Sequence, residues 1–455
     1  MKKLERRALM CLLLAGMLTA GLGFYIGKWL VYGSEWVSYP ANKHVFTDGK
    51  INTGSIYDRN GQGLLENTES GEPEYSNSYS VRTATLHAVG DIDGNILTGA
   101  NRAFAGKLVG YNPVTGTYSA GGEGRKIYLT IDADACVTAN EALGDHKGAV
   151  MVYNYKTGDV LCMTSSPNYD PTDPPRIKED DTSGVYLNRC TTARIVPGSI
   201  FKLVTSAAVI EKKKDLESWT YNCTGKEQFE SSEVDRITCP YPHGEVDFEE
   251  ALAVSCNCGF ADLTLSLGID NIKEYTKKAG LMDSYNINGI HTTPGSFDFP
   301  SEDVNIAWTG IGQYHDLVNP CSMMIYSGAI AGGGKAAVPN LIDSIETNSG
   351  LPAGINWSRK TDTLIESETA SVLSDMMRNN VIKTYGEYNF PDLDICAKSG
   401  TAEVGGGNAP NAWFTGFLRD EKNPYAFIVL VENGGSGANA AGSVANKVLQ
   451  ELVNE

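Results

Sequence analysis

Basic residues are scarce in this chain. Of 455 residues, 37 are Lys or Arg against 55 Asp or Glu, a formal net charge of -18. No basic surplus exists to meet phosphates, so nucleic acid is excluded as a partner. Internal repeats and low-complexity tracts are absent. The 10 cysteines are scattered, with no CxxC and no zinc-ligand spacing along the chain, so neither metal nor cofactor is expected. Cys223 and Cys239 could close a disulfide loop worth about 3 kcal/mol. Cys256 and Cys258 compete for the same partners, and free buried cysteine is an equal alternative. Beyond one N-terminal run, no stretch is long and apolar enough to span a bilayer.

That run follows a basic start, MKKLERR. Residues 8–26, ALMCLLLAGMLTAGLGFYI, carry no charge. A cleaved signal peptide is one reading. An uncleaved anchor is favoured, because the run continues past Phe24 towards Trp29. Lys2, Lys3, Arg6 and Arg7 then stay in the cytoplasm. The expected layout is a cytoplasmic tail at 1–7, a single transmembrane anchor at 8–30, and the rest of the chain outside the cell membrane.

Residues 33–118 are rich in Gly, Asn, Ser and Thr. GSIYDRNGQGLLE (54–66) reads as two strands around Asn60-Gly61. SAGGEG (119–124) is a joint. KIYLTID predicts a strand, and a helix follows near 133–143. Residues 148–166 predict a hairpin around 156–158. An all-helical middle follows, then strands at AWFTGFL and YAFIVLVEN, and a helix from about residue 442. Helices packed on an antiparallel sheet, an α/β (α+β) class, is the expected architecture. A small domain is expected at 31–120 and a larger one at 121–455.

VPGSIFKLVTSAAVIEKK (196–213) carries the first chemistry. Apolar residues at Ile200, Leu203, Val204, Ala207 and Ala208 follow a helical period. Ser199 and Lys202, three apart, fall on one face of that helix, where hydroxyl and amine can meet. A lysine in apolar surroundings loses basicity and can accept the serine's proton. Alone, Ser-x-x-Lys is usually a solvated pair. ALAVSCNCGFADL (251–263) adds Ser255 and Asn257. DICAKSGTAEVG (394–405) adds Lys398, Ser399, Gly400 and Thr401. In this order they match S-x-x-K, S-x-N and K-[ST]-G, a set shared by β-lactamases and penicillin-binding proteins. Ser255 can pass a proton between lysine and leaving amine, and the Asn257 amide can hold the lysine. Lys398, Ser399 and Thr401 suit a terminal carboxylate, and Gly400 allows close backbone approach. Backbone N–H groups near Ser199 and Thr401 are candidates for an oxyanion hole.

The chain resembles a class B penicillin-binding protein, most similar to the penicillin-binding protein A-like group of Gram-positive bacteria. LTID (129–132), GAVMVYNYKTGDVLCMTSSPNYDP (148–171), YLNRCTTARIVPGSIFK (186–202), HGEVDFEEALAVSCN (243–257), GIGQYHDLVNPCSM (310–323), AKSGTAE (397–403) and NAWFTGF (411–417) carry the likeness, and GSIYDRNGQGLLE resembles the start of the family's non-catalytic N-terminal domain. The resemblance implies the penicillin-binding/β-lactamase-like transpeptidase fold, an antiparallel sheet between helices. It implies acylation of Ser199 by D-Ala-D-Ala stem peptides of peptidoglycan, transfer to a neighbouring stem, and acylation by β-lactams. It also implies a membrane glycosyltransferase partner, since residues 33–120 leave no room for that activity. Two departures stand out: Ser399 where Thr is usual, and Gly312-Gln313-Tyr314 where Gly-Gln-Gly is usual. No E-x-x-L-N stretch follows the second motif, which argues against a class A β-lactamase. A D,D-carboxypeptidase is the runner-up, because water simply replaces the amine. A non-catalytic division or sporulation scaffold is the reading from another class.

Overall fold

The computed structural model describes residues 2–454 apart from 38–45, 48–49, 52–53, 69–71, 112–123, 179, 229–235 and 355–357. Helix α1 (Lys2–Val37) contains a span, Lys3–Trp29, long and apolar enough to cross a membrane, and none of its most apolar window is buried against the protein. The helix extends past both ends of the expected 8–30 segment.

Two five-stranded sheets follow. The first takes β1 (Ser55–Tyr57), β2 (Gly63–Asn67), β3 (Pro73–Tyr75) and β4 (Arg125–Leu129). The 54–66 hairpin forms as read: Asp58 Oδ1 accepts from the Asn60 and Gln62 amides, and Gly61 takes φ +83°. α2 (Ala133–Leu143) starts where Asp132 accepts from the amides of Asp134 and Ala135, an N-cap that satisfies otherwise orphaned donors.

β5 (Gly148–Asn154) and β6 (Val160–Ser166) form the expected hairpin. α3 (Lys202–Lys212) follows. The stretch after it departs from the expectation. In place of an all-helical middle, β7 (Thr220–Cys223) pairs with β10 (Gly244–Asp247), and β8 (Lys226–Gln228) pairs with β9 (Arg236–Thr238). Strands of three or four residues are too short to show a period of two, so the pattern could not reveal them. Then come α4 (Phe248–Ala253), α5 (Asn257–Leu267), α6 (Pro320–Ala331), β11 (Ile342–Thr347), α7 (Ser367–Asn380), β12 (Ile395–Ala402), β13 (Asn411–Leu418), β14 (Tyr425–Val431) and α8 (Gly442–Asn454).

The first sheet has the order β11-β4-β1-β2-β3, with β1 and β4 parallel. It crosses the expected boundary at residue 120: β4 and β11 come from the larger segment. The second sheet is antiparallel throughout, in the order β12-β13-β14-β5-β6. Every residue of β6 and β13 is buried, as it must be for strands covered on both faces. α6 packs on β13 and β14, while α8 packs on α2 and β14. This is the expected antiparallel sheet between helices. Its edge strand, β12, carries Lys398, Ser399, Gly400 and Thr401.

Residues 79–89 clamp the N-terminal segment to this body. Arg82 makes a two-pronged ion pair with Asp170, 2.8 and 2.7 Å. Buried His87 donates from Nε2 to the Val185 carbonyl at 2.8 Å, and Asn188 donates to the His87 carbonyl.

Candidate active site

The turn entering α3 depends on glycine. Gly198 has φ +56°, and a Cβ there would lie 2.7 Å from the Thr401 carbonyl oxygen. Gly198 donates to the Gly312 carbonyl at 2.8 Å, and a Cβ on Gly312 would lie 2.2 Å from the Gly198 carbonyl. Only bare backbone fits between these segments. Ser199 therefore sits in a tight 3₁₀ turn, Gly198–Ile200, and α3 begins at Lys202.

Ser199, Ser255, Asn257, Ser399 and Thr401 line one cleft of ≈ 450 Å³. Lys202 and Lys398 lie beneath it, each 0% exposed. Lys202 Nζ donates to the Ser255 carbonyl and to Asn257 Oδ1, both at 2.7 Å, and lies 3.3 Å from Ser255 Oγ. It makes no hydrogen bond to Ser199, so the direct pairing expected from the three-residue spacing is absent. The two short contacts take two N–H groups of a neutral amine, so its lone pair is left to face the Ser255 hydroxyl, 3.3 Å away. Burial pulls the Lys202 pKa down to about 8, partly opposed by the thiols of Cys256, Cys239 and Cys258.

Ser255 occupies a left-handed conformation, φ +54°, between α4 and α5. That is uncommon for a residue with a Cβ. It turns the Ser255 carbonyl onto Lys202 and its hydroxyl towards Lys398, whose Nζ lies 3.0 Å away. Lys398 also donates to the Ser399 carbonyl at 2.9 Å. Its pKa falls well below the ordinary lysine value, first through burial and then through the charge of Lys202. The fixed cation expected here is therefore a weakened one until an anion arrives.

Asn257 is oriented by its other atoms. Its Nδ2 donates to the Thr238 carbonyl at 2.8 Å, which aims Oδ1 at Lys202. Ser399 donates from both its amide and its hydroxyl to Tyr385 Oη, at 2.9 and 3.1 Å. Tyr385 is buried at the end of a π turn after α7, and no motif in the sequence marks it. Gly400 differs from its expected part. It is buried, and a Cβ there would meet the Pro197 carbonyl at 2.9 Å, then Ile200 and Trp413. The close approach it permits is to the Ser199 turn.

Beside this cleft the cysteines are neither scattered nor paired. All are free, and Cys223 Sγ and Cys239 Sγ lie 3.7 Å apart, with no disulfide. The ligand atoms of Cys223, Cys239, His243 and Cys256 fall within 4.8 Å of one another. Residues with no metal-ligand spacing along the chain are thus gathered in space by the fold. Hydrogen bonding among Cys239, Cys256 and Cys258 holds the Cys239 thiol low and raises those of Cys256 and Cys258.

The comparisons with known proteins agree with this arrangement. Residues 148–454 match the model of the penicillin binding protein transpeptidase domain. Peptidoglycan D,D-transpeptidase PbpA of Mycolicibacterium smegmatis is 26% identical over 316 residues, covering 66% of this chain and 64% of that protein. Peptidoglycan D,D-transpeptidase MrdA of Escherichia coli is 24% identical over 375 residues, covering 72% of this chain and 58% of that protein. The chain thus spans less than two thirds of the length of these relatives. Penicillin-binding protein A from Mycobacterium tuberculosis, solved as a penicillin G acyl-enzyme complex, superposes with a TM-score of 0.73 at 22% identity, covering 88% of this chain and 99% of that one. With the fold, the three motifs and a family match over residues 148–454 in agreement, the chain belongs to the penicillin-binding protein transpeptidase family.

Proposed function

We propose that this chain is a serine D,D-transpeptidase that crosslinks peptidoglycan stem peptides ending in D-Ala-D-Ala. The observation that carries the reading is the convergence of Lys202, Ser255 and Lys398 under the cleft that Ser199 lines. Ser199 Oγ attacks the penultimate D-Ala carbonyl, and its proton passes to the neutral Lys202 amine. Ser255 relays that proton to the leaving D-Ala nitrogen, so the amide C–N bond breaks as an ester to Ser199 forms. The amine of a second stem then attacks the ester, gives up a proton by the reverse path, and frees Ser199. Lys398, with the Ser399 and Thr401 hydroxyls, receives the terminal carboxylate, whose charge restores that of Lys398. Backbone N–H groups at Ser199 and Thr401 face the developing oxyanion. β-Lactams acylate Ser199 by the same route.

Membrane attachment through α1 is part of this reading. Lys2, Lys3, Arg6 and Arg7 stay on the cytoplasmic side, and the body lies outside the membrane with its substrate. Residues 31–120 serve as a non-catalytic N-terminal unit whose sheet is completed by the transpeptidase segment, and a membrane glycosyltransferase supplies the strands to be crosslinked. A D,D-carboxypeptidase would use the same groups with water as acceptor.

Fluorescent penicillin tests the nucleophile. The full chain should be labelled covalently, and Ser199→Ala should not; labelling that persists in Ser199→Ala overturns the assignment. Incubation with a stem-peptide thioester and D-amino acids, followed by mass measurement, separates transfer from hydrolysis. Exchange products are expected; hydrolysed acid alone would mean a carboxypeptidase.

A further inference from the structure

The thiol cluster beside the cleft is not used by the chemistry above. We infer that Cys223, Cys239, His243 and Cys256 form a closed tetrahedral site for a zinc-class divalent cation, and that the bound ion fixes the Ser255–Asn257 turn.

Four different pieces of chain supply the ligands. Cys223 ends β7, Cys239 follows β9, His243 precedes β10, and Cys256 is the residue just before α5. The β7–β10 register sets Gly244 opposite Cys223, which brings His243 beside it. A tetrahedral centre with metal–sulfur bonds of about 2.3 Å and metal–nitrogen bonds of about 2.0–2.1 Å places sulfur atoms about 3.8 Å apart, and sulfur and nitrogen about 3.5 Å apart. The observed separations are 3.7 Å for Cys223–Cys239, 3.9 Å for Cys239–Cys256, and 3.5 Å for Cys223 Sγ–His243 Nδ1. Three thiolates and one imidazole suit zinc over magnesium or calcium, which prefer oxygen. With four protein ligands no position remains for water, so the ion is structural.

A second observation points the same way. The two hairpins holding three of the ligands are two-stranded, with strands of three or four residues. Such short ladders contribute little stability of their own; these rest on α4 and α5, and a bound ion would tie them to that base. A metal bound only by the folded chain supplies its binding energy as folding energy.

The connection to the cleft is direct. Cys256 lies between Ser255 and Asn257 in sequence. The Asn257 amide donates to Cys239 Sγ at 3.2 Å, and its side chain donates to the Thr238 carbonyl, one residue before Cys239. Asn257 Oδ1 and the Ser255 carbonyl are the two short contacts of Lys202. Outer hydrogen bonds of this kind orient the groups around a metal. Cys258 stands outside the set: its Sγ accepts from the Cys239 thiol at 3.6 Å, and its own S–H donates to the Ile237 carbonyl at 3.8 Å.

The test is metal content of the full chain, purified in detergent with equimolar zinc and reductant, by mass spectrometry. About one zinc per chain is expected, with intense sulfur-to-metal bands on cobalt exchange. Cys239→Ser and His243→Ala should lose the metal, while Cys258→Ser keeps it. Should those two variants fail to fold, the wild type decides: stripping by a chelator should lower its melting temperature and expose thiols to a colorimetric reagent. A folded wild type holding under a tenth of one zinc, or carrying a Cys223–Cys239 disulfide, overturns the inference. Metal content is read without turnover, so its failure and that of the transpeptidase reading are separate results.

Discussion

Lys202 and Lys398 reach for the same oxygen: their amines lie 3.3 and 3.0 Å from Ser255 Oγ. Both are buried, and the charge of Lys202 disfavours charge on Lys398. The site is built to hold one positive charge easily and two only with an anion present.

The pH profile of acylation follows from this. Lys202 must be neutral to take the Ser199 proton, and its pKa is lowered to about 8. The rate of penicillin acylation should rise about tenfold per pH unit below that value and level off above it. Stopped-flow labelling across about pH 6–9 checks this; a flat profile would remove Lys202 as the base.

Ser255 can be separated into backbone and hydroxyl. Ser255→Ala and Ser255→Gly should both slow acylation by about 10²–10⁴-fold, since both remove the relay. Their stabilities should differ. At φ +54° a Cβ is strained, so the glycine variant should be more stable than the alanine variant by about 1 kcal/mol. Equal urea midpoints would show that the turn is not strained.

Gly312→Ala puts a methyl group 2.2 Å from the Gly198 carbonyl, at φ +75°. The turn carrying Ser199 must move. Acylation should fall at least about tenfold, with a loss of about 1–3 kcal/mol in stability. Wild-type labelling kinetics in this variant would show that the turn tolerates displacement.

His87 predicts acid sensitivity away from the cleft. Burial lowers its pKa from 6.5 to about 4. Between those values the unfolded chain binds the proton and the folded chain does not. Stability should therefore be full above pH 6.5 and decline as pH falls towards about 4, by about 3 kcal/mol in all. Urea unfolding of the wild type and of His87→Gln at several pH values checks this. The glutamine variant should lose that part of the pH dependence; identical slopes would place it elsewhere.

The contrast between what could and could not be read from sequence has physical causes. The helix at 133–143, the 54–66 and 148–166 hairpins and the strands at 411–431 are signalled by neighbouring residues, and they formed as read. The seven polar motif residues were recognisable because the chemistry constrains their types. Their partners were not. Lys202 turns to a Ser255 carbonyl, which depends on one left-handed residue 53 positions away. Tyr385 is an ordinary tyrosine until the fold brings its hydroxyl to Ser399. Gly400 accommodates Pro197, a contact between distant segments. The thiols of Cys223, Cys239 and Cys256 have no signature spacing, because two short hairpins gather them.

The first sheet imposes an order on synthesis. β4 pairs on one side with β1 and on the other with β11, where Ile127 faces Ile345. As the chain emerges from its N-terminus, the flank of β4 stays bare until residue 347 has been made. Pairings between such distant segments close slowly, and an open strand edge invites association with other chains. The first sheet, begun at residue 55, thus stays unfinished until residue 347, and a nascent chain halted before β11 would be a ready seed for aggregation.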